Sequence, residues 1–304
     1  TDNMTNKDIL NAQIVTVPVG GGSLSSEKKI RMNYESYDDV VKSMERERKK
    51  IIEQSKKSSE KINTKMGLIG GEYYIDDNLE LKVFDGAQGS SLRKLIIPDA
   101  VRIINKCDKG GFSSVEEIGG GKGLVKLGVY TFSRCQVLKD VDLSESSLDE
   151  IPRGCFNSST SLERVKLPDT LKTIGKASFA GTALREFDVP DSTTKIMNRA
   201  FASCGELTKI NWGSQLKLIG DSAFTSSGIE EIVLPPGVVM VGSFAFYNCN
   251  KLRYLYIPDT VKTLRYDFLG PMVRDRLELE LPERLLSKAL KKHMSRFDVK
   301  IRTY

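Results

Sequence analysis

The chain has 304 residues, a formal net charge of +6, 39% hydrophobic and 28% charged residues, enough apolar content for one large or two ordinary domains. The charge does not demand nucleic acid, which wants a stripe of one sign, and no apolar run reaches the roughly twenty residues that span a bilayer. A single histidine and five cysteines without a CxxC spacing argue against a zinc site.

Thr1 to Asp8 is polar and has neither the basic nor the apolar region of a secretory leader. The expected location is therefore cytoplasmic or within an intracellularly assembled particle. A cell-surface or secreted chain with its leader removed is the alternative. Residues 1–66 read as an extended arm and a polar helix for attachment or oligomerisation. The arm carries a β-prone run, Ile14 to Val19, with Val15, Val17 and Val19 as candidate contacts. That run has no strand partner within the arm, so it needs a sheet edge elsewhere. The helix runs from about Tyr34 to Lys65 with only a thin apolar stripe, including Val41, Met44, Ile51 and Ile52. Residues 67–91 are expected to shield the open end of a stacked core as an N-terminal cap.

From residue 92 a period dominates, and it decides the fold. Leu162-Glu-Arg-Val-Lys-Leu-Pro168 recurs from Leu184, Ile229 and Leu252, with weaker copies from Leu92, Val115, Leu138 and Leu207 at steps of 22 to 24 residues. A partial copy, Leu277 to Pro282, closes the array. A second motif keeps the same step: Ile174-Gly-Lys-Ala-Ser-Phe179 matches Leu127 to Phe132, Ile219 to Phe224 and Val241 to Phe246. Phe156, Phe201 and Phe268 hold the same place.

The first motif alternates like a strand with its apolar side chains inward, and its proline, lacking an N–H, ends the ladder. The Ile-Gly pair makes a second short turn or strand. The Phe fills the core beside a small residue, and Phe179, Phe201, Phe224 and Phe246 should stack in one buried column. Cys135, Cys204 and Cys249 follow the Phe by three residues, and Cys107 and Cys155 take the small slot before it. Such recurrence makes them buried, reduced core thiols. One unit cannot bury its own apolar face, so about eight must stack.

These motifs resemble the BspA-like, or Treponema-type, leucine-rich repeat family, whose unit runs Leu-x-x-Ile-x-Ile-Pro and then Ile-Gly-x-x-Ala-Phe-x-x-Cys. The resemblance implies an α/β solenoid over residues 92–281, a right-handed superhelix flanked by the N-terminal helical arm and a C-terminal cap. It also implies a non-enzymatic binding protein, often a surface adhesin of bacteria and protists. Two early units depart from the pattern: Lys109 stands where the Phe belongs, and Gly119-Gly120-Gly121 replaces the end of a strand.

Residues 282–304 read as that cap: a helix from Pro282 to Arg296 with Leu285, Leu286, Ala289 and Leu290 on one face, then a strand from Phe297 to Ile301. Catalysis finds little support. His293 falls on a Lys-rich surface helix, and Gly119 to Gly123 lacks the spacing of a phosphate loop. No enzyme activity, cofactor or metal is expected. The outward strand positions Lys94, Glu117, Asp140, Arg164, Glu186, Lys209, Glu231 and Tyr254 largely alternate in sign, as a cross-strand charge ladder does. Tyr254 and Tyr256 should break it, pointing outward from one strand, with Tyr247 and Tyr266 on neighbouring turns, and these four are the candidate protein-binding residues. The expected function is a protein-binding scaffold in a larger assembly such as a virion or phage particle, its partners being other chains or copies of itself. The alternatives are an adhesin for host protein or glycan and, less favoured, an enzyme.

Overall fold

The computed structural model describes residues 73–75, 78–83, 92–106, 111–270 and 277–304. The backbone separates into two compact units, Thr1–Lys65 and Met66–Tyr304. The arm residues Val15, Val17, Val19, Val41, Met44, Ile51 and Ile52, and Cys107 and Lys109, lie outside the described residues.

The second unit opens with an antiparallel hairpin, β1 (Tyr73–Ile75) and β2 (Glu80–Val83). Each following turn contributes one longer and one short strand. These are β3 (Lys94–Ile97) and β4 (Ile103–Ile104), β5 (Glu117–Gly120) and β6 (Lys126–Leu127), β7 (Asp140–Asp142) and β8 (Glu150–Ile151), and β9 (Arg164–Lys166) and β10 (Thr173–Ile174). Then come β11 (Glu186–Asp188) and β12 (Lys195–Ile196), β13 (Lys209–Asn211) and β14 (Leu218–Ile219), β15 (Glu231–Val233) and β16 (Met240–Val241), and β17 (Tyr254–Tyr256) and β18 (Thr263–Leu264). The expected partial copy is a full rung, β19 (Leu277–Leu281), so nine longer strands stack where about eight units were expected. A seven-residue helix, α1 (Lys288–Met294), and a last strand, β20 (Val299–Thr303), follow.

All pairing from β2 onward is parallel. The short strands line one wall, in two hydrogen-bonded runs, and the longer strands another, in three: β3 to β9, β11 with β13, and β15 to β20. Among the described residues α1 is the sole α-helix, beside one 3-10 turn at Glu283–Leu285. The α/β label therefore narrows to a parallel β-solenoid. In α1 the buried side chains are Leu290 and Met294, Ala289 is exposed, and Leu285 and Leu286 are half-buried ahead of it. The helix begins six residues later than the sequence pattern suggests, capped by the Ser287 hydroxyl, which accepts from the Leu290 amide.

The core is a spine of rings. Phe132, Phe156, Phe179, Phe201, Phe224 and Phe246 stack with centroids 5.2–5.8 Å apart and planes within 16°. That separation matches the roughly 5 Å rise between neighbouring strands, so one ring per turn fits the stack without strain. The column starts one turn earlier than the pattern suggests: Phe112 packs on Phe132 at 4.9 Å, tilted 59°. Phe112 lies three residues past Lys109, where the repeat places the ring. At the other end Leu269 bridges to Phe246, and Phe268 falls one residue early, in the slot that Ala245 fills below it.

The ring-bearing turns form a third hydrogen-bonded ladder. Phe132, Phe156, Phe179, Phe201 and Phe224 each donate their amide to the next turn at 2.7–2.9 Å. Reaching that geometry places two residues per turn in the left-handed region, four apart: Tyr130 and Arg134, Gly154 and Ser158, Ala177 and Gly181, Arg199 and Ser203, Ser222 and Ser226, Phe244 and Asn248. Each non-glycine among them costs about 1–2 kcal/mol, which the amide ladder offsets.

Two irregularities have local causes. Gly119 and Gly120 continue β5 instead of ending it, paired to Ile96 and Ile97. Gly120 has φ +81, and a Cβ there would lie 2.7 Å from the Ile97 carbonyl. In the short-strand wall, β6 and β8 do not pair. Gly128 and Gly175 donate to Ile104 and Ile151, but Pro152 occupies the equivalent place and has no N–H to give.

Candidate protein-binding surface

The longer strands turn their charged side chains outward. Their register sets Lys94 beside Glu117, Glu117 beside Asp140 and Asp140 beside Arg164, then Glu186 beside Lys209. Lys94–Glu117 and Arg164–Asp140 close at 2.8 Å, and Lys209 pairs with Glu186. One residue earlier, Glu116 takes Arg93 at 3.0 Å and Lys139 at 3.1 Å, and Arg253 pairs with Glu230. The hydrogen bond from Lys139 holds the Glu116 carboxyl below the usual carboxylate range. These groups face water and contribute little each to stability. Their effect is a neutralised, laterally ordered surface.

The ladder ends in aromatics. Tyr254 and Tyr256 project from β17 with Val233, 54% exposed, on the neighbouring rung. The Tyr254 hydroxyl donates to Glu280 at 3.1 Å. Burial, then that carboxylate, pushes its pKa up. Tyr256 lies against a residue that sequence reasoning missed: Tyr304 stacks on it at 5.6 Å and 7°, its hydroxyl 3.0 Å from that of Tyr256 and donating to the Ile257 carbonyl at 2.7 Å. Its signal is the alternation Lys300, Arg302, Tyr304, which puts it on the outward face of β20. Part of the tyrosine end is thus covered by the chain's own C-terminus.

The other two candidates are not on this wall. Tyr247 belongs to the ring-bearing turns and meets Phe244 edge-on at 5.6 Å. Tyr266 follows β18 and contacts His293 at 5.9 Å. Phe244 and Tyr266 are 43% and 49% exposed. The structure therefore divides the four tyrosines into two pairs. His293 is half-buried against Phe297, its Nε2 2.8 Å from the Leu269 carbonyl, a contact that fastens the cap to the last turn.

Inside, the slot three residues past each ring holds Cys135, Ser159, Thr182, Cys204, Ser227 and Cys249. The Cys204 thiol donates to the Phe179 carbonyl at 3.1 Å and Cys249 to Phe224 at 3.1 Å, and Ser159 makes the same bond to Phe132 at 2.7 Å. Cys135, Cys155, Cys204 and Cys249 are buried. Burial pushes the Cys155 and Cys204 thiols up, and that of Cys249 to about 11. Among the described residues no group of three or more His, Cys, Asp or Glu could hold a metal ion, and no helix is long and apolar enough to cross a membrane. A half-open recess of about 680 Å³ over the β6–β8 break is lined by Val125, Val129, Pro152 and Arg153, among others.

The repeat pattern described as BspA type Leucine rich repeat region matches residues 79–207 and 149–269, in 6 copies. The chain belongs to the BspA-type leucine-rich repeat family. Similar solved structures include the T. pallidum Leucine Rich Repeat protein, at 18% identity over 76% of this chain and 96% of that one, with a TM-score of 0.45. A leucine-rich repeat protein from Bacteroides ovatus gives 18% over 76% and 74%, at 0.39. A leucine rich cell surface protein from Faecalibacterium prausnitzii gives 14% over 77% and 93%, at 0.23. No curated protein matches.

Proposed function

We propose that this BspA-type solenoid is a non-enzymatic protein-binding scaffold, attached to its assembly through residues 1–66. The observation that carries the binding role is the longer-strand wall: a rigid surface whose charges neutralise one another and which ends in Tyr254, Tyr256 and Val233. Such a surface loses little side-chain entropy on contact, and its aromatic end supplies apolar area at low ordering cost. Tyr247 and Tyr266, with Phe244, form a second contact area on the turns. Ordering the arm costs about 1–2 kcal/mol per residue in backbone entropy, more than its thin stripe of Val41, Met44, Ile51 and Ile52 recovers, so contacts from another chain complete it. A particle component, such as part of a virion, fits that arm.

Native mass spectrometry tests this reading. The intact chain should form defined oligomers or partner complexes, and a chain beginning at Gly67 should lose them while staying folded. A truncated chain that still assembles overturns the role of the arm. Family membership, and the description of the Faecalibacterium relative as a cell surface protein, favour a second reading: a surface adhesin for host protein or glycan. Protease accessibility of the chain on intact cells separates the two.

A further inference from the structure

The longer-strand wall ends at β20, with no described strand beyond it. Leu277 donates to the Asp298 carbonyl and Glu283 to that of Tyr304. Parallel pairing alternates, so even-numbered residues of β20 turn their backbone groups to β19, and Ile301 and Thr303 turn theirs to the open edge. The side chains repeat the point. Leu277, Leu279 and Leu281 are buried, whereas Val299 and Ile301, which pair with the first two, are half-buried on the last rung. An open edge above a part-exposed apolar layer is a site for strand addition.

The charges say what kind of strand fits. Lys300 and Arg302 project outward from β20 and pair with Glu278 at 2.9 Å and Glu280 at 3.4 Å. Each sits where an opposite charge on the next rung would pair with it, as Glu117 does with Lys94 and Arg164 with Asp140 along the wall. A second copy fits poorly in either arrangement. Antiparallel self-pairing about Ile301 sets Lys300 across from Arg302, and head-to-tail stacking brings Lys94 of β3 against Lys300. Like charges directly opposite destabilise a sheet. We propose that the β20 edge takes an extended segment of another protein in which apolar residues alternate with Asp or Glu, added as the next parallel rung.

The inference rests on the protein-binding reading in kind but uses a different surface, and its failure would leave the mass-spectrometric result of the truncation untouched. The probe is a fluorescent peptide with the core Leu-Glu-Leu-Glu-Leu, titrated against the full chain by anisotropy beside a Leu-Lys-Leu-Lys-Leu peptide. The acidic peptide should bind at least about tenfold tighter and weaken with salt. Thr303→Pro removes an N–H that faces outward, so it should abolish peptide binding without changing the melting temperature. Lys300→Gln with Arg302→Gln should erase the preference for the acidic peptide. Equal affinity for the two peptides overturns the proposal, as does unchanged binding by Thr303→Pro. So does slow amide exchange at Ile301 and Thr303 in the free chain, which would mean that the edge is already occupied.

Discussion

Phe224 lies between Phe201 and Phe246, with ring centroids 5.2 and 5.8 Å away, and is fully buried. Phe224→Ala removes both stacked contacts and leaves a hole that the hydrogen-bonded turns cannot close, so it should cost about 3–5 kcal/mol in urea unfolding. The small slot beside the ring offers the opposite test. Ser178 is buried and its hydroxyl has no hydrogen-bond partner, whereas Ala200 and Ala223 fill the same slot above it. Ser178→Ala should raise stability by about 1 kcal/mol; a loss would mean that the hydroxyl is satisfied. The thiols predict a pH dependence. An ordinary thiol ionises near 9.0, and that of Cys249 near 11 when folded. Stability is therefore full below pH 9 and falls as pH rises toward 11, by up to about 1.4 kcal/mol per pH unit for each such thiol. Cys249→Ala should flatten that slope by its own share.

At the scale of elements, the sequence carries what recurs at a fixed step and conceals what loop length decides. The strand ladder, the short Ile-Gly strands and the ring column from Phe179 to Phe246 were legible because each depends on spacing alone. Phe112 is hidden by its three-residue offset from the repeat, and Phe268 by a one-residue slip that the Phe246–Leu269 bridge reveals. The slot past the ring was read as thiols, yet Ser159, Thr182 and Ser227 share it, because what the slot selects is a small donor to a carbonyl. The repeat register separates Tyr254 and Tyr256 on the strand from Tyr247 and Tyr266 on the turns, and the structure holds them apart in those two pairs. The left-handed turn positions are not visible in the sequence, since serine and arginine together occupy them more often than glycine. They make a paired prediction. Ser222→Gly, at φ +54, should be neutral to stabilising by up to about 1 kcal/mol, the left-handed cost less the entropy of glycine. Gly154→Ala should destabilise, because its Cβ would lie 2.2 Å from the Tyr130 ring.

On the scale of the whole molecule, each turn touches only its neighbours, so stability accumulates along the stack and both ends need covers. The β1–β2 hairpin pairs with β4 at one end. At the other, Arg284 donates to the Val261 carbonyl at 2.8 Å and pairs with Asp259, while α1 buries Leu290 and Met294. The proposal is that residues 67–304 form a self-sufficient stack and that residues 1–66 serve attachment and not folding. Thermal unfolding of a chain beginning at Gly67, beside the intact chain, tests this most directly. The prediction is one cooperative transition in the truncated chain, within about 4 °C of the intact one, a shift that corresponds to roughly 1 kcal/mol at this size. A much larger fall in melting temperature, or loss of the cooperative transition, would show that the arm is part of the fold and contradict the account.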